Sequence, residues 1–322
     1  MLLIASFVTS HFGEWRQSWH GMPTRTDRPG ARTGLRRDED DGILAAIDAD
    51  TGDIVYSRPL DTPAGFAVTA DHLYVNSMRG NRVMCINQKL EVVDIFATHM
   101  MNDLHSIVVS ERGLLITSSG TDSILEVSAN GEPIWEWFAA EHGYSLAPSG
   151  HVVTVSRKRD YRLLRSETSM QSTHCNSAIE SRLHGNDVIV ASFFHQGYVV
   201  AIDRNTGDSE ILLRGMHNPH SIRRRPGGWL VSDSRSCSVV LLNENFSIDS
   251  IIEQAFNWIQ DALPVGNDGV LIADANHSSL VFWDLQMDRE IRRIGYPAEW
   301  KIYQVEMADL RWELLFRAAA EH

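Results

Sequence analysis

The chain has 322 residues, of which 43% are hydrophobic and 22% are charged, and its formal net charge is −13. This composition supplies enough apolar side chains for a sizeable core and excludes a disordered chain. The negative charge argues against general affinity for nucleic acid or for an anionic membrane surface, and no apolar run reaches the ~20 residues that a membrane span needs.

The apolar run "LLIASF" (2–7) opens the chain. It lacks a basic start and is too short for a secretion signal, so we interpret it as a β-strand. The three cysteines, Cys85, Cys175 and Cys237, show no CxxC spacing and suit a reducing compartment. Together these features predict a cytoplasmic protein.

One pattern then recurs five times along the chain. It consists of a short strand, a turn, a second strand, a polar hairpin and a third strand, followed by a turn into a fourth. The five stretches are 65–87, 104–128, 175–203, 219–243 and 260–284. Four short strands in about 40 residues are typical of the blades of a β-propeller.

A sixth blade is predicted to combine both ends of the chain. Residues 300–308 read as its first strand, and 2–7 with 42–59 supply the other three. Such a closure removes the open sheet edges that would otherwise promote aggregation. The sequence therefore predicts an all-β, six-bladed β-propeller that forms a single domain over residues 1–322.

Two insertions interrupt the repeat, at about 8–41 and 139–172. In a propeller, the start of strand one and the hairpin between strands two and three lie at the same end of the blade. Both insertions fall at that end, so we predict that they lie over the mouth of the central channel. Loops over such a mouth are a common place for function on a rigid scaffold.

The start of strand one supplies the candidate ligands. Aligning the blades gives five equivalent positions, Phe66, His105, Asn176, His220 and Asp261, and His174 precedes Asn176 by two residues. His105, His174 and His220 are predicted to hold a divalent metal, since three neutral imidazoles are a common ligand set. Zinc, iron and manganese are the candidate metals. Asp261 is predicted either to be a fourth ligand or to orient a ligating histidine.

The hairpins between strands two and three supply further candidates. His195 and Asp122 lie there, on the side of the mouth, and are predicted to transfer protons during catalysis. The three arginines of "IRRRPGG", at 223–225, fall at the far end of strand one. We expect them to be surface charges.

Three segments, "GEPIWEW" (131–137), "THCNSA" (173–178) and "VIVASFFHQGYVVAIDRNTGD" (188–208), resemble motifs of bacterial arylsulfotransferases. The resemblance implies a six-bladed propeller with a histidine-lined funnel, in which one histidine carries the sulfuryl group covalently. Other histidines and an arginine hold the sulfuryl oxygens in that family. By position, His174 matches a funnel histidine, and His220 is the candidate nucleophile.

The family arginine has no counterpart at the matching position, which is occupied by Phe194. A guanidinium stabilises the charge of a sulfuryl group in transfer by two-point hydrogen bonding, and a phenyl ring cannot. Arg235 or Arg79, on neighbouring hairpins, would have to supply that charge.

Three functions follow from these patterns. The leading hypothesis is a metal-dependent lyase, hydrolase or oxygenase acting on an anionic or aromatic small molecule. The first alternative is metal-free sulfuryl transfer through a histidine nucleophile. The second is a non-catalytic propeller that binds a ligand or another protein.

Overall fold

Six four-stranded antiparallel sheets form a ring in the computed structural model, which describes residues 1–12, 41–164 and 167–321. This arrangement is a six-bladed β-propeller and confirms the predicted fold. Most of the insertion at 8–41 lies outside the described residues. The insertion at 139–172 runs between the third and fourth blades and contains short 3₁₀ turns at Ala139–His142 and Thr168–Met170.

The strands follow the repeat, with strand one of each blade along the channel. Blade one contains β1 (Leu2–Thr9), β2 (Gly42–Asp48) and β3 (Ile54–Leu60). Blade two contains β4 (Pro63–Val68), β5 (His72–Ser77), β6 (Arg82–Asn87) and β7 (Val92–Phe96). Blade three contains β8 (Leu104–Val109), β9 (Leu114–Ser118), β10 (Ser123–Val127) and β11 (Pro133–Phe138). Blade four contains β12 (Cys175–Leu183), β13 (Asn186–Phe193), β14 (Tyr198–Asp203) and β15 (Ser209–Leu213); blade five contains β16 (Pro219–Arg225), β17 (Gly228–Asp233), β18 (Ser238–Asn243) and β19 (Ile248–Glu253). Blade six contains β20 (Ile259–Val265), β21 (Gly269–Asp274), β22 (Ser279–Asp284) and β23 (Arg289–Gly295), and β24 (Lys301–Met307) completes blade one.

The ring closes where β24 pairs antiparallel with β1, with Val305 opposite Ala5. The predicted combination of both chain ends in one blade is confirmed. Every residue of β1 is buried, as expected for a strand covered on both faces. Side chains then join blade one to blade two: Ser6 Oγ donates to Ala64 O at 2.6 Å, and Gln304 Nε2 donates to Phe66 O at 2.8 Å.

Helix α1 (Leu310–Ala319) follows the last strand and was not anticipated from the sequence pattern. Asp309 caps its start by accepting a hydrogen bond from Trp312 N at 2.9 Å. Trp312 is fully buried in the core cluster of blades one and two. Within the described ranges, no helix has both the length and the apolar character needed to cross a bilayer.

Blades three and four share a buried ionic contact. The Arg204 guanidinium, 2% exposed, donates to the carboxylates of Glu126, which is fully buried, and Glu180. A buried charge of this kind is tolerated because its partners satisfy it. Removing one partner leaves another charge desolvated and unpaired.

We predict that Arg204→Ala lowers the free energy of unfolding by about 3–5 kcal/mol, because Glu126 would lose its buried counter-charge. Arg182→Ala is the matched control: its salt bridge to Asp187, at 3.3 Å, has 73% of the arginine side chain exposed. That control should change stability by less than about 1 kcal/mol. Urea unfolding of both variants measures the difference. Equal losses in the two variants would contradict the assignment.

Candidate functional site

Two neighbouring blades bring polar side chains together at the start of their inner strands. Asp103 directly precedes β8 and His105 is its second residue, while His174 directly precedes β12. These three residues are only 4–6% exposed. One ligand atom from each lies within 4.8 Å of those of the other two. This Asp/His/His group is the candidate metal centre.

Asp122 fixes the backbone that carries His174. Its carboxylate accepts hydrogen bonds from three consecutive amides, Ser172 N at 2.6 Å, Thr173 N at 2.7 Å and His174 N at 2.8 Å. His174 adopts a left-handed conformation (φ 48°), which is uncommon for a residue with a side chain. The amide contacts of Asp122 hold this turn in place.

Gln171, at the end of the 139–172 insertion, connects His174 to Asp103. Its Nε2 donates to Asp103 Oδ2 at 3.2 Å, and its Oε1 is hydrogen-bonded to His174 Nδ1. A carboxylate only accepts, so the amide oxygen must face the imidazole and receive a proton from Nδ1. This network therefore assigns the proton of His174 to Nδ1 and leaves a lone pair on Nε2.

His105 is held from across the channel. Its Nδ1 is hydrogen-bonded to the hydroxyl of Tyr303 on β24, and its Nε2 lies 3.9 Å from Asp103 Oδ2. Strand pairing places Ala64 of blade two at the position equivalent to His105, and this small residue packs in one cluster with Tyr303. Each histidine of the group is thus anchored through Nδ1, as metal-ligating histidines commonly are.

His220 approaches the same space from blade five. Its Nδ1 lies 3.0 Å from Asn218 O and 2.6 Å from Ser234 Oγ. Ser234 donates its own proton to Ile259 O, so both contacts require a proton on Nδ1. Nε2 of His220 therefore carries a lone pair. The ring lies between Phe194 and Trp258, with centroid distances of 5.3 and 5.4 Å.

Burial makes His174 and His220 neutral at physiological pH. Desolvation, reinforced by the neighbouring His105, lowers the pKa of His174 well below its usual value and that of His220 to about 3. Burial also lowers the pKa of His195 and raises that of Tyr303 well above its usual value. Neutral imidazoles suit metal binding and proton acceptance better than binding of an anion by charge.

Asp261 does not belong to the Asp/His/His group. Its carboxylate accepts from Arg223 Nη2 at 2.7 Å, Ser221 Oγ at 2.5 Å and Val305 N at 3.0 Å. Strand pairing places Gln260, not Asp261, at the position equivalent to His105, because Ile259 pairs with the last residue of its neighbouring strand as Leu104 does. Similarly, Ala64 rather than Phe66 is the equivalent residue of blade two.

The expected surface position of Arg223 is wrong. Its side chain is 18% exposed and binds Asp261 and Glu306 among the inner strands. The Arg223 side chain thus points towards the neighbouring inner strands. The next side chain, Arg224, is 41% exposed and pairs with Glu244 at 2.7 Å.

The other predicted catalytic residues, Asp122, His195 and Arg235, lie outside the Asp/His/His group. Both carboxylate oxygens of Asp122 accept hydrogen bonds from backbone amides, so this carboxylate is not placed for proton transfer. His195 is half-buried, with its ring centroid 5.9 Å from that of His174 and its Nε2 bound to Thr168 O at 2.8 Å. Arg235 is exposed, and Arg79 lies 3.8 Å from Asp41. The described contacts connect neither arginine to the histidines.

Sequence reasoning missed three members of the site, Asp103, Gln171 and Tyr303. Asp103 had a local signal, since it directly precedes the aligned strand of His105. Gln171 lies three residues before His174, but its second partner, Asp103, is 68 residues away; Tyr303 is 198 residues from His105, so it had no local signal.

No protein-family model matches the sequence, and the search of curated proteins finds no match. Solved structures share the architecture. A protein of unknown function from Bacteroides caccae has 17% identity and a TM-score of 0.59, over 82% of this chain and 93% of that one. A chain of the nidogen/laminin complex has 11% identity and a TM-score of 0.58, over 94% of this chain and 96% of that one.

Virginiamycin B lyase from Staphylococcus aureus, in a catalytically inactive form with quinupristin, is a further neighbour. It has 11% identity and a TM-score of 0.50, over 73% of this chain and 70% of that one. At these identities the likeness shows the fold alone. The arylsulfotransferase resemblance of the sequence stays a prediction.

The lowered pKa values of His174 and His220 predict acid sensitivity. The folded state binds these protons less readily than the unfolded state, so stability is complete above the unfolded pKa near 6.5 and is lost as the pH falls. For His220 the loss continues towards pH 3. Between pH 6.5 and 5, protonation of His220 should lower the free energy of unfolding by about 2 kcal/mol, and His174 should act in the same direction.

Urea unfolding at both pH values, for the native chain and His220→Gln, measures this contribution. The variant should lose about 2 kcal/mol of the pH dependence, whereas His184→Asn, a change at an exposed histidine, should retain it all. An unchanged pH dependence in His220→Gln would contradict the account.

Proposed function

We propose that this protein is an enzyme that acts on a small molecule with a divalent metal held by Asp103, His105 and His174. The observation that carries the proposal is the convergence of two buried imidazoles, each anchored through Nδ1, with one carboxylate. Two histidines and a carboxylate form the ligand sets of non-haem iron(II) enzymes and of several zinc hydrolases. The carboxylate offsets part of the charge of a divalent ion.

A bound divalent ion supplies Lewis acidity to a substrate oxygen. The chain itself orients and protects the reacting groups. Asp122 and Gln171 fix His174, and Tyr303 fixes His105. His220 offers a lone pair on Nε2 to accept a proton or hydrogen bond from the substrate, and Phe194 and Trp258 supply apolar walls that exclude water.

The structural neighbours are compatible with both an enzyme and a binding protein, since they include a lyase and the nidogen/laminin complex. The site favours the enzyme. A binding surface has no need for two buried histidines beside a buried carboxylate, whereas a metal-assisted lyase, hydrolase or oxygenase does. An anionic or aromatic substrate remains the predicted class.

Metal analysis of protein purified without an affinity tag or chelator tests the proposal. We expect near-stoichiometric zinc, iron or manganese by mass spectrometry, and at least tenfold less in His105→Ala, His174→Ala and Asp103→Asn. Gln171→Leu should weaken metal affinity about 10–100-fold, since it loses the partner that orients His174. His220→Ala should keep the metal and lose turnover.

His277→Ala is the matched control, because this histidine lies in a hairpin on the same face and pairs with Asp274 at 2.8 Å, with 46% of its side chain exposed. It should retain the native metal content. Metal that persists in the His105→Ala/His174→Ala double variant, or that falls equally in His277→Ala, would refute the metal site.

The geometry of His220 favours one second candidate, metal-free group transfer. Nε2 carries the lone pair needed for attack, and Nδ1–H faces Asn218 O and Ser234 Oγ, which would stabilise the cationic intermediate. In this step Nε2 bonds to the sulfur of an aryl sulfate, the S–O bond breaks and the phenolate leaves. An acceptor hydroxyl then bonds to the sulfur, the N–S bond breaks to restore the neutral imidazole, and the hydroxyl proton passes to the phenolate or to solvent. Lys301, buried near Trp258, contributes positive charge that Phe194 cannot.

Release of 4-nitrophenol from 4-nitrophenyl sulfate, with a phenol acceptor and a chelator present, tests this candidate. Activity should survive the chelator and fall at least 100-fold in both His220→Ala and Lys301→Met, while Arg235→Ala should leave it unchanged. The absence of release from the native chain would eliminate this candidate and leave the metal proposal untouched.

A further inference from the structure

A cavity of about 130 Å³ continues from the histidines into the central channel. His105 and His220 lie at the end of the cavity nearest the mouth. Further from the mouth, most of the lining residues have polar side chains. They come from five of the six inner strands and include Ser106, Asn176, Ser177, Ser221, Gln260 and Gln304. A buried water needs about 10–15 Å³ of such space and two to four polar partners, so this cavity can hold several.

The cavity extends to the face of the ring opposite the mouth. Val108, Ile179 and Arg224 also line it, and they lie near the far ends of β8, β12 and β16. Arg224 lies four positions after His220, which corresponds to roughly 13 Å of extended strand. Val108 and Ile179 are half-buried and Arg224 is exposed, so this end is open to solvent.

The charged side chains of the channel wall are held in salt bridges. Arg223 donates to the carboxylates of Asp261 and Glu306, which come from the two following inner strands. Arg224, which also lines the cavity, pairs with Glu244 at 2.7 Å, so each arginine of the wall has a carboxylate partner. The salt-bridged side chains also cross-link three blades and hold the passage in shape.

We propose that this channel is a second entrance to the histidine site, which admits water and neutral polar molecules of a few heavy atoms from the face opposite the mouth. Its polar side chains replace hydrogen bonds that such molecules make with water, whereas an anion would lose its hydration without gaining an unpaired counter-charge. The suggested use, exchange of water and protons with His105 and His220, rests on the proposed function. The passage itself does not.

Cysteine accessibility tests the entrance without metal or substrate. In a Cys237→Ser background, Ser177→Cys places a thiol in the channel wall. Cys175, on the same strand, is fully buried in the blade core and serves as an internal reference, with a pKa raised by burial. At pH 8.5 on chelator-treated protein, methyl methanethiosulfonate should modify Ser177→Cys at least tenfold faster than the background protein.

A sulfonate-bearing methanethiosulfonate should react at least tenfold more slowly than the neutral reagent, after correction for their rates with free cysteine. Ile179→Trp, which fills the far end, should slow the neutral reagent at least tenfold. Val93→Trp is the matched control, since Val93 is 51% exposed on the outer strand of blade two. It should leave the rate unchanged.

A reaction no faster than the background, or a rate that Ile179→Trp does not alter, would overturn the second entrance. The same would hold for equal rates with the neutral and anionic reagents. If Ser177→Cys does not fold, as judged by thermal unfolding, Ser106→Cys provides the same readout from blade three. None of these results depends on metal content, so failure of the entrance and failure of the metal proposal are distinguishable.

Discussion

The pairing of β24 with β1 is the interaction on which the rest of the structure depends. It joins the two ends of the chain, supplies the inner strand of blade one and closes the ring of six sheets. It also delivers Tyr303 to His105, a residue 198 positions earlier in the chain. Opening this seam would therefore cost both the closed ring and the orientation of one candidate ligand.

Burial then determines the chemistry of the site. Desolvation keeps His174 and His220 neutral. In each ring Nδ1 donates its proton to a hydrogen-bond acceptor, so the lone pair is on Nε2. Asp122 achieves the placement of His174 by binding a strained turn through its backbone amides. These features are costly for stability, most of all at low pH, and such costs are typical of functional sites.

Much of the fold could be predicted because its signals are local: alternating apolar residues, turns and a repeat of about 40 residues. His105 and His220 were found because equivalent positions of repeated blades face one axis. Asp261 was misplaced by one position because the sequence pattern does not fix where a short strand begins, and only the strand pairing shows that Ile259 is equivalent to Leu104. Gln171 and Tyr303 act over long sequence separations, and only the folded ring brings them to the histidines.

The location of a bound metal tests the central claim most directly. Crystals grown with zinc or cobalt, with data collected at the absorption edge of the metal, would give its position by anomalous scattering. The account predicts one dominant peak about 2.0–2.2 Å from Nε2 of His105 and His174 and from a carboxylate oxygen of Asp103. A dominant peak elsewhere, or none there at saturating metal, would contradict it.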